Sequence, residues 1–208
     1  MTRRKPLAIA LSLAFSLTAS TAALSEEPAI LDKVEVKGFP FRYQGNNPTS
    51  AMKTETALKD TPQAVNVVTE QQIEDQALHG MADVLRYVPG VGMAQGEGHR
   101  DAPVMRGNAS TGDFFTDGIR DDVQYFRDLY NVSQVEILKG ANAMIFGRGG
   151  SGGVINRVSK QADGIAVQSL SLQAGSHDFY RAQADFGDAL NDNVAYRVNA
   201  MAENAGSK

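Results

Sequence analysis

Cysteine and tryptophan are both absent from this chain, and only three of its 208 residues are histidine. The first absence rules out a disulfide framework and any thiolate metal site. It does not argue against export, because secreted chains do not require disulfides. His79, His99 and His177 stand apart with no partner at metal-ligand spacing, so no metal site is expected. They suggest no Ser/His/Asp arrangement either; no catalytic residue is expected, and the chain reads as a non-enzyme. An excess of positive charge is also missing. The formal net charge is −4, which gives nucleic acid nothing to bind non-specifically. No apolar run approaches the roughly 20 residues of a membrane-spanning helix. What is present, 42% hydrophobic and 21% charged residues, suits a folded chain.

The longest apolar run, Leu7 to Leu17, follows a basic cap of Arg3, Arg4 and Lys5. It precedes small residues, Ala19 to Ala23, and the acidic pair Glu26-Glu27. That order is a secretory signal peptide, assigned to residues 1–25 with cleavage between Ala22 and Ser25. Membrane insertion of the mature chain must then use β-strands.

Residues 26–54 read as a strand and a linker. The strand is Asp32, Lys33, Val34, Glu35, Val36, Lys37 and Gly38, where apolar and charged residues alternate. The linker is rich in Pro, Asn, Gly and Ser. Ala64 to Thr69 predicts a buried strand, and Thr69 is placed to cap a helix running through Gln76. Met81, Val84, Leu85 and Val88 predict one or two more helical turns, ended by Pro89-Gly90. Glycine and aspartate dominate Val91 to Tyr130, with short strands expected around Val104 to Arg106 and Phe114 to Thr116.

Val135 to Lys139 predicts a strand that runs into Gly140 and an apolar segment, Ala141 to Phe146. Gly147, Gly149, Gly150, Gly152 and Gly153 follow, and then a second strand, Val154 to Ser159. Residues 147–152 satisfy G-x-G-x-x-G, but a strand follows rather than a helix and no acidic residue stands at the required distance. A dinucleotide site is thereby excluded, and the glycines read as formers of a tight turn. Asp113, Asp117, Asp121, Asp122 and Asp128 lack the alternating order of a calcium loop. They read as solvated aspartates at turns.

Beyond Gln161 three runs of about ten residues alternate in polarity. Leu170, Leu172 and Ala174 alternate with Ser169, Ser171 and Gln173; Tyr180, Ala182, Ala184 and Phe186 with Arg181, Gln183 and Asp185; Val194, Tyr196, Val198 and Ala200 with Arg197 and Asn199. Turns are expected at Gly175–Asp178 and from Gly187 to Asn193. The pattern fits a transmembrane β-barrel whose apolar side faces lipid. Three strands leave unpaired edges that hydrocarbon does not tolerate, so the chain is expected to be the N-terminal fragment of a longer protein.

In their order and spacing these segments resemble the plug domain of TonB-dependent outer-membrane receptors, from about Val34 to Glu203. The likeness rests on Asp60–Val65 (DTPQAV), Asp83–Val91 (DVLRYVPGV), Met105-Arg106-Gly107, Phe115–Asp121 and the block from Asn131 to Lys160. The resemblance implies an α+β plug domain at residues 55–161, with a small mixed sheet and short helices. The first antiparallel strands of an incomplete transmembrane β-barrel would follow at 162–208. It implies TonB-dependent uptake of a ferric siderophore across the outer membrane, the plug gating the lumen of a 22-stranded barrel. The implied partners are TonB with its inner-membrane energising complex, the ferric siderophore (a transported ligand, not a cofactor) and outer-membrane lipid. Asp113 to Asn131 leans toward the catecholate-type branch. Two alternatives stay open: a soluble periplasmic plug-like binding or interaction protein, and a receptor for haem, vitamin B12 or a sugar.

The same resemblance suggests site residues. By its position, Asp32 to Gly38 resembles a TonB box, a strand ready to join a partner's sheet edge. Arg106, Lys139, Arg148 and Arg157 resemble basic positions through which plugs meet barrel carboxylates. Ligand contact is expected from Gln95, His99 and Arg100 and from Gln124, Tyr125, Phe126 and Arg127. Ferric catecholates are anionic and aromatic, so arginine beside tyrosine and phenylalanine supplies charge and stacking together.

Overall fold

The computed structural model describes residues 43, 45, 56–95, 97–147, 150 and 152–206. The expected signal peptide, the TonB-box strand Asp32–Gly38 and Arg148 lie outside the described residues. A 3-10 turn at Leu58–Asp60 leads into β1 (Ala64–Thr69), α1 (Glu70–Asp75) and α2 (Met81–Leu85). Thr69 caps α1 as expected, its hydroxyl accepting from the Gln72 amide at 3.4 Å. At α2 the cap is a glycine without a side chain, so Asp83 Oδ2 reaches back to the amides of His79 and Gly80. Short strands follow: β2 (Val91–Ala94), β3 (Ala102–Met105), β4 (Asn108–Ala109), β5 (Phe114–Thr116) and β6 (Ile119–Arg120). Two hairpin turns, Arg106-Gly107 and Asp117-Gly118, have positive φ at both central residues, the twist that suits a two-residue hairpin. The strand expected at Val104–Arg106 therefore stops at Met105, one residue before its own turn.

The centre is a mixed five-stranded sheet in the order β1-β7-β8-β5-β6, with β7 at Val132–Lys139 and β8 at Gly153–Ser159. β7 is antiparallel to both neighbours, whereas β5 runs parallel to β8. Successive residues of a strand point to opposite faces, and both faces of this sheet are covered. Val135, Ile137, Phe114 and Ile155 face a core closed by Ile73, Met81, Val84 and Leu85 of the two helices. Leu138, Phe115 and Val154 face a smaller cluster closed by Phe146 of the short helix α3 (Ala143–Phe146). Phe146 meets Phe115 edge-on at 4.8 Å between ring centres. β1 departs from the expected buried strand. It lies at the sheet's edge and only Val68 is buried, because an edge strand has a neighbour on one side alone.

The glycine turn is required by contact. A Cβ on Gly153 would stand 2.5 Å from the Leu138 carbonyl oxygen, and one on Gly152 would stand 2.6 Å from that of Met105. Any side chain there would separate β7 from β8 or push β3 away.

A separate antiparallel sheet in the order β9-β10-β11 comprises Val167–Ala174, Tyr180–Asn191 and Val194–Asn204. The turn expected from Gly187 to Asn193 is only Asp192-Asn193, because β10 continues through Gly187, which pairs with Arg197. Burial in this sheet is inverted relative to a soluble protein. Leu172 is 74% exposed, Leu170 68% and Tyr180 59%, whereas Arg181 is 3% and Asp185 7% exposed. The polar face is the covered one, and the mixed-sheet body covers it. Among the described residues no helix is long and apolar enough to cross a membrane.

Candidate functional site

The two segments expected to touch ligand converge. Arg100 donates to Gln124 Oε1 at 2.6 Å and pairs with Glu97 at 2.9 Å. The Asp101 amide donates to the Tyr125 carbonyl, and Asp101 Oδ2 accepts from the Arg127 amide at 2.8 Å. Gln95, His99, Gln124 and Phe126 are exposed. Tyr125 is partly exposed, its hydroxyl donating to Asp121 Oδ2 and accepting from Arg157. A chain that leaves phenylalanine and tyrosine open beside polar groups has built an apolar platform with a polar frame.

Arg127 is not part of that platform. It is 1% exposed, among the most deeply buried side chains described. Its guanidinium donates to Asp121 Oδ2 and to the carbonyls of Asp121, Val123 and Tyr125. It also lies 3.9 Å over the Phe114 ring and 4.4 Å from the centre of Tyr125. The groups around it belong to residues 101–127 of the protein itself, so Arg127 anchors residues 121–127 from within. Burial pushes the Asp101 carboxyl above its ordinary pKa, and the Arg127 amide and guanidinium offset this only in part.

The aspartates expected to be solvated are mostly structural. Asp113, 3% exposed, accepts the Gly150 amide and so holds the glycine turn. Asp117 accepts from the amide and hydroxyl of Ser159, and Asp121 joins Arg127, Arg157 and Tyr125. Aspartate spacing gives no hint of the distant partners, because Gly150, Arg157 and Ser159 stand 36 to 42 positions away.

Three of the four basic residues expected to meet the barrel are described, and the partners found for them belong to the body itself. Lys139 donates to the Pro89 carbonyl, Arg106 lies against Gly140, and Arg157 binds Asp121, Thr116 and Tyr125. Contact with the three-stranded sheet is made by residues the sequence reading missed. At one junction Lys160 pairs with Glu70 at 2.7 Å and with Asp185 at 2.9 Å. Arg197 binds the same Asp185 at 2.7 Å and donates to the Gln161 carbonyl. Burial disfavours the Lys160 charge, but its bonds to Glu70 and Asp185 outweigh this and hold its pKa above the ordinary value. At a second junction Asp128 receives both arms of Arg181, at 2.6 and 2.8 Å, and Glu203 takes the same guanidinium. His79 stacks on Phe179 beside it, at 5.7 Å. The polar stripe Arg181/Asp185 on β10 was legible as inward-facing; which body residue would answer each charge was not.

Residues 57–154 match the family model described as TonB-dependent Receptor Plug Domain. The chain is 37% identical over 197 residues to "Probable TonB-dependent receptor BfrD" of Bordetella pertussis, covering 93% of this chain and 26% of that protein. It is 32% identical over 203 residues to "Probable TonB-dependent siderophore receptor PiuA" of Acinetobacter baumannii, covering 96% of this chain and 27% of that protein. Among solved structures, the open form of the ferric-catecholate import receptor Fiu from Escherichia coli superposes with a TM-score of 0.69 at 34% identity. That match covers 77% of this chain and 24% of the receptor. The chain thus spans about a quarter of the length of the curated relatives it matches.

Proposed function

Residues 57–154 are a TonB-dependent receptor plug domain, and from that premise we propose that this chain is the plug-bearing part of an outer-membrane receptor for ferric siderophores. In this reading β9–β11 belong to the barrel wall, with Leu170, Leu172, Tyr180 and Phe186 toward lipid. The plug fills the lumen, and TonB, energised from the inner membrane, engages residues 32–38 and displaces it. The protein moves its ligand without making or breaking covalent bonds.

One observation carries the proposal: the polar face of β9–β11 is covered by the plug through two charged junctions while its apolar face is left bare. In water such a face would be a liability; in a bilayer it is the required surface. The exposed Tyr125 and Phe126, framed by Gln124 and Arg100, favour a ligand that presents flat aromatic rings, and the relatives named for ferric catecholates point the same way.

The test is uptake of ⁵⁵Fe presented as its 2,3-dihydroxybenzoate complex to iron-starved cells that carry the receptor gene. Uptake is expected to need the gene, TonB and the proton gradient, and to be lost on Val34→Pro or Val36→Pro. Equal uptake without TonB would refute the reading.

A further inference from the structure

Asp128 is the residue that closes the exposed loop, and it is also the residue that ties the plug to the wall. Its Oδ1 accepts the amides of Leu129 and Tyr130, which orients the carboxylate, and its two oxygens take the Arg181 fork. Arg181 is 3% exposed and shares its guanidinium with Glu203, so the pair is geometrically defined although the Asp128 side chain keeps 25% exposure. A second tie stands beside it: Gly80 forms a backbone bridge with Asp128, and its neighbour His79 stacks on Phe179. From Asp128 the chain runs back one residue to Arg127, whose amide donates to Asp101, and the Asp101 amide returns to Tyr125. Bonds therefore run without interruption from the wall strand, through Asp128, to both exposed segments.

We propose that Asp128 is a positioning residue: paired with Arg181, it sets Tyr125 and Phe126 at a defined distance from the barrel's inner face, so that an anionic ferric catecholate is held between the plug's aromatic rings and the wall. This rests on the siderophore reading above. Asp128 itself does not touch the ligand. Its carboxylate is occupied by Arg181 and two amides, and its contribution is the gap between two surfaces. That geometry predicts a selective effect. A loop that drifts from the wall binds ligand more weakly, but once ligand is bound the plug is moved by the same force at the same rate.

The experiment uses the receptor expressed from its natural gene, with a nitroxide placed by Val123→Cys on the same loop. Val123 is 65% exposed and this chain holds no cysteine of its own. Asp128→Asn and Arg181→Met are compared with wild type, and Arg181→Lys serves as the conservative variant, keeping the charge without the fork. Three quantities are read: label mobility without ligand, equilibrium binding of the ⁵⁵Fe–2,3-dihydroxybenzoate complex to membranes from cells lacking TonB, and maximal uptake rate. Asp128→Asn and Arg181→Met are expected to mobilise the label and raise Kd about tenfold, with the maximal rate within about twofold and Arg181→Lys between them. An immobile label, an unchanged Kd with a mobile label, or a fall in maximal rate alone would each overturn the proposal. Wild-type membranes that bind no ferric catecholate would instead overturn the siderophore reading, while label mobility would still decide whether Asp128 sets the loop.

Discussion

Replacing Arg127 with leucine separates two roles for the same residue. The substitution keeps much of the apolar volume over Phe114 but deletes the guanidinium that binds Asp121 and three carbonyls. Removing one member of a buried ion pair costs about 3–5 kcal/mol. The lower end applies here, because Asp101 keeps the amide of residue 127 and Asp121 keeps Arg157 and the Tyr125 hydroxyl. At about 1.4 kcal/mol per decade, 3 kcal/mol is roughly a hundredfold in an opening equilibrium. The expected result is that amides of residues 97–103 and 121–127 exchange about a hundredfold faster by hydrogen–deuterium exchange in the micellar receptor. Protection of β7 and β8 should be unchanged, because none of the groups that Arg127 hydrogen-bonds lies in their ladders. Unchanged exchange in the two segments, combined with weakened ligand binding, would refute the anchoring role and restore Arg127 as a direct contact.

Gly153→Ala would place a methyl group 2.5 Å from the Leu138 carbonyl oxygen at φ +157, where backbone must move. A loss of about 1–3 kcal/mol is expected, seen as faster trypsin cleavage between residues 139 and 153; wild-type resistance would refute the tight-turn account. Phe186→Arg puts a charge on the face assigned to lipid and should cost about 2–4 kcal/mol if it lies near the bilayer midplane, read as reduced folded receptor in outer-membrane fractions. Normal abundance would argue that this face meets something other than hydrocarbon. For Asp128, burial raises the carboxyl's pKa, but hydrogen bonds from Arg181 and two amides prevail and lower it on balance. A depressed carboxylate stabilises the fold fully above its unfolded pKa, near 4, and loses that contribution as pH falls through the lower folded value. The stability difference between wild type and Asp128→Asn should therefore be flat from about pH 8 to 5 and shrink only below about 4; a decline beginning near pH 6 would refute the pairing with Arg181.

Much of this architecture can be read from local signals. Thr69 announces its helix because a hydroxyl before an amphipathic turn satisfies free amides. The glycine cluster announces a tight turn, and alternation after Gln161 announces a sheet with two unlike faces. These are short-range or periodic properties, and periodicity survives without knowledge of the partner. Edge position escaped the same reading: AVNVVT is apolar enough for a central strand, yet β1 has a neighbour on one side alone. Gly187 suggested a turn, yet strand pairing carried β10 past it to Asn191.

From sequence come the inward polar stripe of the last three strands, set by alternation along the chain, and the α+β plug fold class, implied by resemblance to a known family. Tertiary structure alone decided which charges meet. It buried Arg127, turned the aspartates from solvated residues into fasteners, and gave the wall contacts to Glu70, Asp128 and Lys160. The physical reason is that an ion pair is a short-range event between distant positions: Arg181 and Asp128 stand 53 residues apart, and only the packing of two sheets brings them to 2.6 Å.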